Sequence, residues 1–250
     1  MAIEAGKVYA VWLRETKRFV NSKSRMLGSL GMPLLFLVAL GGGFSSMVPG
    51  FNYQAFILPG ILAMTIMFSS IFSGVSIIWD REFGFLKEML AAPTGRETIV
   101  LGRIFGGATT SIIQGLLILV LGFIFTGVPV PSLMNMLVAL VLMVVLSCFL
   151  VAVGIAIASV VQEVETFQLI MNFVVMPLFF LSNALFPLEN MPSWLRAIST
   201  LNPISYAVDG LRALLIGTSQ FGLGFDFGVS LGAFALAFVA ASYLFSRTSI

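Results

Sequence analysis

Histidine is absent from this chain and cysteine occurs once, at Cys148. These absences exclude an intrachain disulfide framework, a zinc cluster of cysteine and histidine, and a proton relay built on imidazoles. Cys148 itself reads as a thiol packed in a core. Charge is scarce too: 10% of the 250 residues are charged, against about 25% in ordinary soluble domains. No charged residue falls within 26–79, 104–162, 166–188 or 227–246. The phosphate-binding pattern G-x-x-x-x-G-K-[ST] is missing, so ATP has no site of that kind here. Also missing are ionisable side chains at the centres of the apolar segments, where transporters driven by protons or sodium keep theirs. A channel would need a polar pore lining, and a membrane enzyme a cluster of catalytic groups; the neutral windows offer neither.

Hydrophobic residues make up 59% of the chain, so the bilayer is the solvent for most of its surface. A spanning helix needs about 20 apolar residues, so the two long windows hold two spans each and the two short ones hold one each. Six spans are expected, at 27–47, 56–79, 104–125, 133–160, 167–186 and 227–245. Gly41 to Gly43, Pro49 and Gly50 punctuate the first connection, and Pro129 and Pro131 mark a turn before the fourth span. The basic first 25 residues lead into a full-length apolar segment without a small-residue cleavage site, so the first span is expected to be retained.

Residues 3–22 read as a helix lying on the membrane. Val8, Val11, Trp12 and Phe19 gather on one side of it, and Lys7, Arg14, Lys17 and Arg18 on the adjoining arc, with Glu15 inside the apolar stripe. With a cytoplasmic amino terminus, every lysine and arginine except Arg196 and Arg212 falls on the cytoplasmic side, as the positive-inside rule requires. Both termini, the 80–97 segment and the short turn at Gln162, Glu163 and Glu165 are then cytoplasmic.

The charged stretch 80–103 between the second and third spans, with the 80–97 segment inside it, is the one sizeable internal cytoplasmic feature. Phe83, Leu86 and Leu90 recur on one helical face, and Pro93 with Gly95 stops the helix. Such a helix suits docking into a groove on a soluble partner, or a solvated loop whose charges fix orientation. Within the spans, Ser69, Ser73 and Ser76 share one side of the second, and Gln168 and Asn172 stand four apart on the fifth. They read either as a pathway lining or as hydrogen-bonding contacts between helices. Gly102 and Gly106, Gly154 and Ala158, and Gly228 and Gly232 are spaced for close helix approach. The 24 phenylalanines suit an apolar cargo, and a lipid-facing surface equally well.

The run Asp80, Arg81, Gly84, Glu88, Leu90, Pro93 and Arg96 resembles the coupling segment of type-2 ATP-binding-cassette export permeases. The later run from Phe186 to Leu195, followed by Asn202, Pro203, Ile204, Ser205, Tyr206, Asp209 and Arg212, is similar to the same family's segment between spans five and six. The resemblance implies an all-α membrane protein, one permease domain over residues 1–250. Its parts would be six transmembrane helices, an amphipathic N-terminal interfacial helix, a cytoplasmic coupling helix after span two, and a re-entrant helical segment at 187–212. It implies no catalysis by the chain itself, and ATP with magnesium held by a partner.

Implied partners are two ABC ATPase subunits and a second permease, identical or not, in the inner membrane, with no nucleic acid. Asp80, Arg81, Phe83, Gly84, Phe85, Glu88 and Arg96 would couple to the ATPase. Pro192, Trp194, Asn202, Pro203 and Tyr206 would form an outer gate; turn prolines and an interfacial aromatic anchor are the plainer reading. The cargo would be hydrophobic or amphiphilic, drug-like or lipid-linked, with drug-resistance and nodulation-type exporters nearest. A polysaccharide or glycolipid exporter, or a membrane scaffold that transports nothing, are the alternatives.

Overall fold

The computed structural model describes residues 4–45, 52–91 and 94–248. Pro49, Gly50, Pro93, the side chain of Leu90, residue 3 of the interfacial helix and residues 46–47 of the first apolar segment lie outside that description. The described residues are helical with no β-strand. Helices α1 (Ala5–Val20), α2 (Lys23–Ser45), α3 (Tyr53–Ser73), α4 (Val75–Glu82) and α5 (Phe85–Ala91) come first. Then follow α6 (Arg96–Thr126), α7 (Leu133–Val160), α8 (Val164–Ile170) and α9 (Met176–Phe180), the last two joined by a π-helical turn, Met171–Val175. A 3₁₀ turn at Leu188–Asn190 leads to α10 (Ser193–Leu201), α11 (Pro203–Ile216) and α12 (Leu223–Ser246).

Four stretches are long and apolar enough to cross a membrane: Tyr53–Glu82, Arg96–Thr126, Leu133–Val160 and Leu223–Ser246. The apolar stretches Gly28–Gly43 and Val164–Phe180 are shorter. The chain is a multi-pass membrane protein. Tyr53–Glu82 has 30 residues, or about 45 Å at 1.5 Å per residue, so it overruns a hydrocarbon layer of about 30 Å. Its last turns, with Asp80 and Arg81, therefore emerge at the headgroups.

Helix α3 is the hub: every residue from Phe56 to Met67 is buried, against α2, α6, α7 and α11, while α12 packs along α7. Glycine sets the closest approaches. Gly74, which breaks α3 from α4, and Gly154 of α7 lie so near that a Cβ on either would overlap backbone across the interface. On α6, Gly102 lies under Val11 and Gly106 under Glu15 of α1, so α1 rests directly on the helix. Gly228 and Gly232 meet nothing within 4 Å among the described residues; that spacing seats no described helix of its own subunit.

Two expectations change. The charged residues 96–103, read from the sequence as loop, form the first two turns of α6, because Arg103 finds acids to neutralise it and the helix need not stop at a charge. The helix expected through Phe83 is broken: α4 ends at Glu82 and Gly84 adopts φ +77° before α5 begins, a left-handed bend that glycine alone takes without strain. Phe83 therefore leaves the face of Leu86 and is 81% exposed, while Leu86 is buried.

Candidate functional site

Where α4 emerges, its Asp80 is 4% exposed and surrounded by arginines. Arg103 of α6 donates to it at 2.6 Å and Arg14 of α1 at 2.9 Å, with Arg18 at 3.8 Å. Glu15 adds a second acid, 3.8 Å from Arg103 and 3.5 Å from Arg14. Arg103 also donates to Ser76 Oγ at 3.1 Å. Burial works against the Arg14 charge, yet the hydrogen bond and charge of Asp80, with the charge of Glu15, hold its pKa above the ordinary value. Arg14 further covers the ring of Phe85 at 4.2 Å, a cation–π contact that carries the linkage on to α5. One ionic knot thus joins α1, α4, α5 and α6.

Beyond the knot stands a corner. Phe83, Gly84 and Glu88 face outward, and Phe85 is half covered by Arg14. The other residues grouped with them lie elsewhere. Asp80 is interior to the knot. Arg81 donates to the carbonyls of Val161 at 3.0 Å and Ala158 at 3.3 Å, closing the end of α7, where a cation is favoured. Arg96 donates to the carbonyl of Ser246 at the end of α12. Asp80 and Arg81 hold α4 behind the corner, Arg96 ties α6 to α12, and Phe83, Gly84 and Glu88 form the corner's face. The sequence reading missed Arg14, Glu15, Arg18 and Arg103 as a group; its one signal was the acid inside an apolar stripe, for which Arg103 is the reason.

A cavity of about 370 Å³ opens between α2, α3, α6 and the π-helical turn. Ser69, Ser73 and Asn172 line it together with Phe68, Phe72, Met171 and Gln114. Gln114 Nε2 donates to Ser29 Oγ at 2.7 Å, tying α6 to α2 at the cavity wall. Ser73 donates back to Ser70 O in its own helix and Ser76 to Ser73 O across the Gly74 break, so both hydroxyl protons stay within the Tyr53–Glu82 stretch. Ser76 belongs to the ionic knot, and Gln168 is exposed outside the cavity. Asn172 reaches the wall because the helix widens there, just before Pro177, which lacks the N–H that a regular turn would use.

At the other end of the bundle, Pro192 caps α10 and Trp194 is 64% exposed at its start. Trp194, Ile198 and Leu201 make an outward apolar row on this short helix. Asn202 is a buried hinge: its Oδ1 accepts from Ile204 N at 3.0 Å and its Nδ2 donates to Leu178 O at 2.7 Å. Pro203 opens α11, a favoured position. Tyr206 donates to Thr200 O at 2.6 Å and packs its ring on Phe221 and Phe225. The five residues belong to one helix–turn–helix, with Asn202, Pro203 and Tyr206 at its bend and Pro192 and Trp194 at its far end. Nearby lie three buried ionisable residues: Asp209 and Arg212, which belong to the run quoted from the sequence, and Asp226, which the sequence reading left unremarked.

Comparison with known proteins places the chain in a family. The model of the ABC-2 type transporter family matches residues 6–216. A Cyanophora paradoxa protein named as a transport permease, ycf38, is 34% identical over 236 residues, covering 86% of this chain and 78% of its own. The inner membrane transport permease YadH of Escherichia coli (strain K12) is 27% identical, covering 94% of this chain and 91% of its own. Nodulation protein J of Rhizobium leguminosarum bv. trifolii is 26% identical, covering 83% and 80%.

Proposed function

The chain belongs to the ABC-2 type transporter family, and on that premise we propose that it is the permease subunit of an ATP-driven exporter in the inner membrane. As a permease it is not itself a catalytic enzyme; ATP and magnesium belong to two ABC ATPase subunits beneath a pair of permeases. Six spans cross the bilayer, the two shorter apolar helices completing the four long ones, with both termini cytoplasmic. The exposed Phe83 at the Gly84 bend carries the reading. A bare aromatic at the tip of a braced cytoplasmic corner is the anchor a soluble motor needs, and the knot behind it passes the motor's push to α1, α4 and α6 together. Alternating access follows when that push reorients the helices around the cavity, and Pro192, Trp194, Asn202, Pro203 and Tyr206 close the exit.

The cavity supports a hydrophobic or amphiphilic cargo, since its wall is apolar side chains with a few hydroxyls and amides. A long polysaccharide would need far more hydrogen-bonding groups. The test is co-reconstitution of the chain with its candidate ATPase in vesicles. ATP hydrolysis and outward movement of an amphiphilic dye are expected to depend on the pair. Phe83→Asp is expected to weaken ATPase binding by about 2 kcal/mol, roughly 30-fold, with membrane insertion unchanged. Full transport by that variant would sink the docking role, and hydrolysis indifferent to the permease would favour a scaffold.

A further inference from the structure

Asp226 lies in the first turn of α12 with no exposure, and neither carboxylate oxygen has a hydrogen-bond partner; no helix N–H reaches them. The hydroxyl of Ser230, one turn on, is buried and unpartnered as well. The carboxyl packs against α11 at Gly210, where an added Cβ would meet Asp226 Cβ at 3.3 Å and Oδ2 at 3.6 Å. That position adjoins Asp209. Asp209 Oδ2 takes three donors, Ser219 Oγ at 2.9 Å, Gln220 N at 2.8 Å and Phe221 N at 3.0 Å. Its other oxygen has Arg212 at 3.9 Å, and Arg212 also donates to Asn183 O at 2.8 Å and covers the Phe56 ring.

The one cation in this buried group is thus matched by Asp209. From the other helices packed on α12, α7 presents no charged side chain and α6 carries its charges, Arg96, Glu97 and Arg103, at the far end. An ionised Asp226 would be a buried charge with no counter-ion of its own, close enough to Asp209 to feel the charge of a second carboxylate. That costs far more than keeping the proton, and a buried ionisable residue without a partner is a candidate functional site.

We propose that Asp226 is a proton-binding site: it holds a proton while α11 and α12 are packed together and releases it to water when the 217–222 loop opens. Loss of the proton sets two carboxylates against each other, and the amides of Gln220 and Phe221 held by Asp209 come loose. High pH in the adjoining water therefore favours the open loop, and low pH the closed one. The site is independent of the exporter reading and of the cargo.

The chain has three aspartates, Asp80, Asp209 and Asp226, so aspartate carrying carboxyl ¹³C gives three side-chain signals. In lipid nanodiscs, one of the three is expected to remain protonated at about pH 6, above the ordinary aspartate value of about 3.9. Asp226→Glu, whose glutamate is unlabelled, is expected to remove that signal while retaining an acid. Amide exchange at Gln220 and Phe221, corrected for the intrinsic rate, is expected to quicken at least tenfold from about pH 6 to about pH 8 in the native chain, and to stay flat in Asp226→Asn. Three ionised signals at about pH 6, a protonated signal that survives Asp226→Glu, or the same exchange profile in native and Asn chains would each overturn the proposal. The first outcome needs no variant, so a misfolded variant leaves the test decisive.

Discussion

Removing the Asp80 carboxylate leaves Arg103, 3% exposed at its side chain, with Glu15 alone at 3.8 Å. Removing Arg103 instead leaves Asp80 with Arg14 at 2.9 Å. The two ends of one ion pair therefore differ in cost. Asp80→Leu is expected to destabilise by about 3–5 kcal/mol, the range for stranding a buried charge, and Arg103→Met by less. The double variant, with both charges gone, should cost less than the sum. Thermal unfolding in detergent, followed by tryptophan fluorescence, checks this; strict additivity would mean that the two charges do not sense each other. None of this pairing was legible in the sequence, because it joins positions 23 and 66 residues apart. The sequence did locate Asp80 at a membrane boundary, yet assigned it outward, since a charge beyond an apolar run looks solvated until its partner on another helix is known. Phe83 and Glu88 need no partner in the fold, and for them composition and exposure agree.

Helices were legible where hydropathy alone sets their limits. α7 runs over Leu133–Val160, the limits expected for the fourth apolar segment, because Pro131 precedes it and neutral residues fill it. α6 was read eight residues short since its first turns carry Arg96, Glu97 and Arg103, and the acids that neutralise Arg103 sit on α1 and α4. The π-helical turn had no periodic signature; Pro177 was its local cause. The seat of α1 rests on Gly102 and Gly106, a spacing that the sequence did show. At Gly102 a Cβ would come within 2.6 Å of Val11 Cβ and 3.0 Å of Val8 O, so Gly102→Leu must lift α1 from α6. Amide exchange over Ala5–Val20 is expected to accelerate and motor-driven transport to fall, with the four long helices still inserted. Gly228→Leu, at a glycine that meets nothing within 4 Å, should leave α1 protected. Equal effects from both would show that α1 is held by its charges and not by the glycine seat.

For the whole molecule, the proposed function depends on sidedness: under it the knot and the Phe83 corner must lie in the cytoplasm to meet a motor, and the α10–α11 bend on the opposite face to gate an exit. Two physical terms agree on that orientation. Lysine and arginine collect on the end that carries α1 and α5, where the positive-inside rule places them in the cytoplasm. The outward apolar row of Trp194, Ile198 and Leu201 suits the headgroup level of the other leaflet. Single-cysteine labelling separates the two faces, and the native background is low because Cys148 is 4% exposed. A cysteine at Ser193, exposed at the start of α10, is expected to react with an impermeant maleimide in intact cells, whereas one at the exposed Lys87 should react only after permeabilisation. Labelling of position 87 in intact cells would put the Phe83 corner on the side that holds no ATP, and the force would then have to enter elsewhere. The same experiment bears on the span count, since an odd number of crossings between residues 87 and 193 is what separates the two sites.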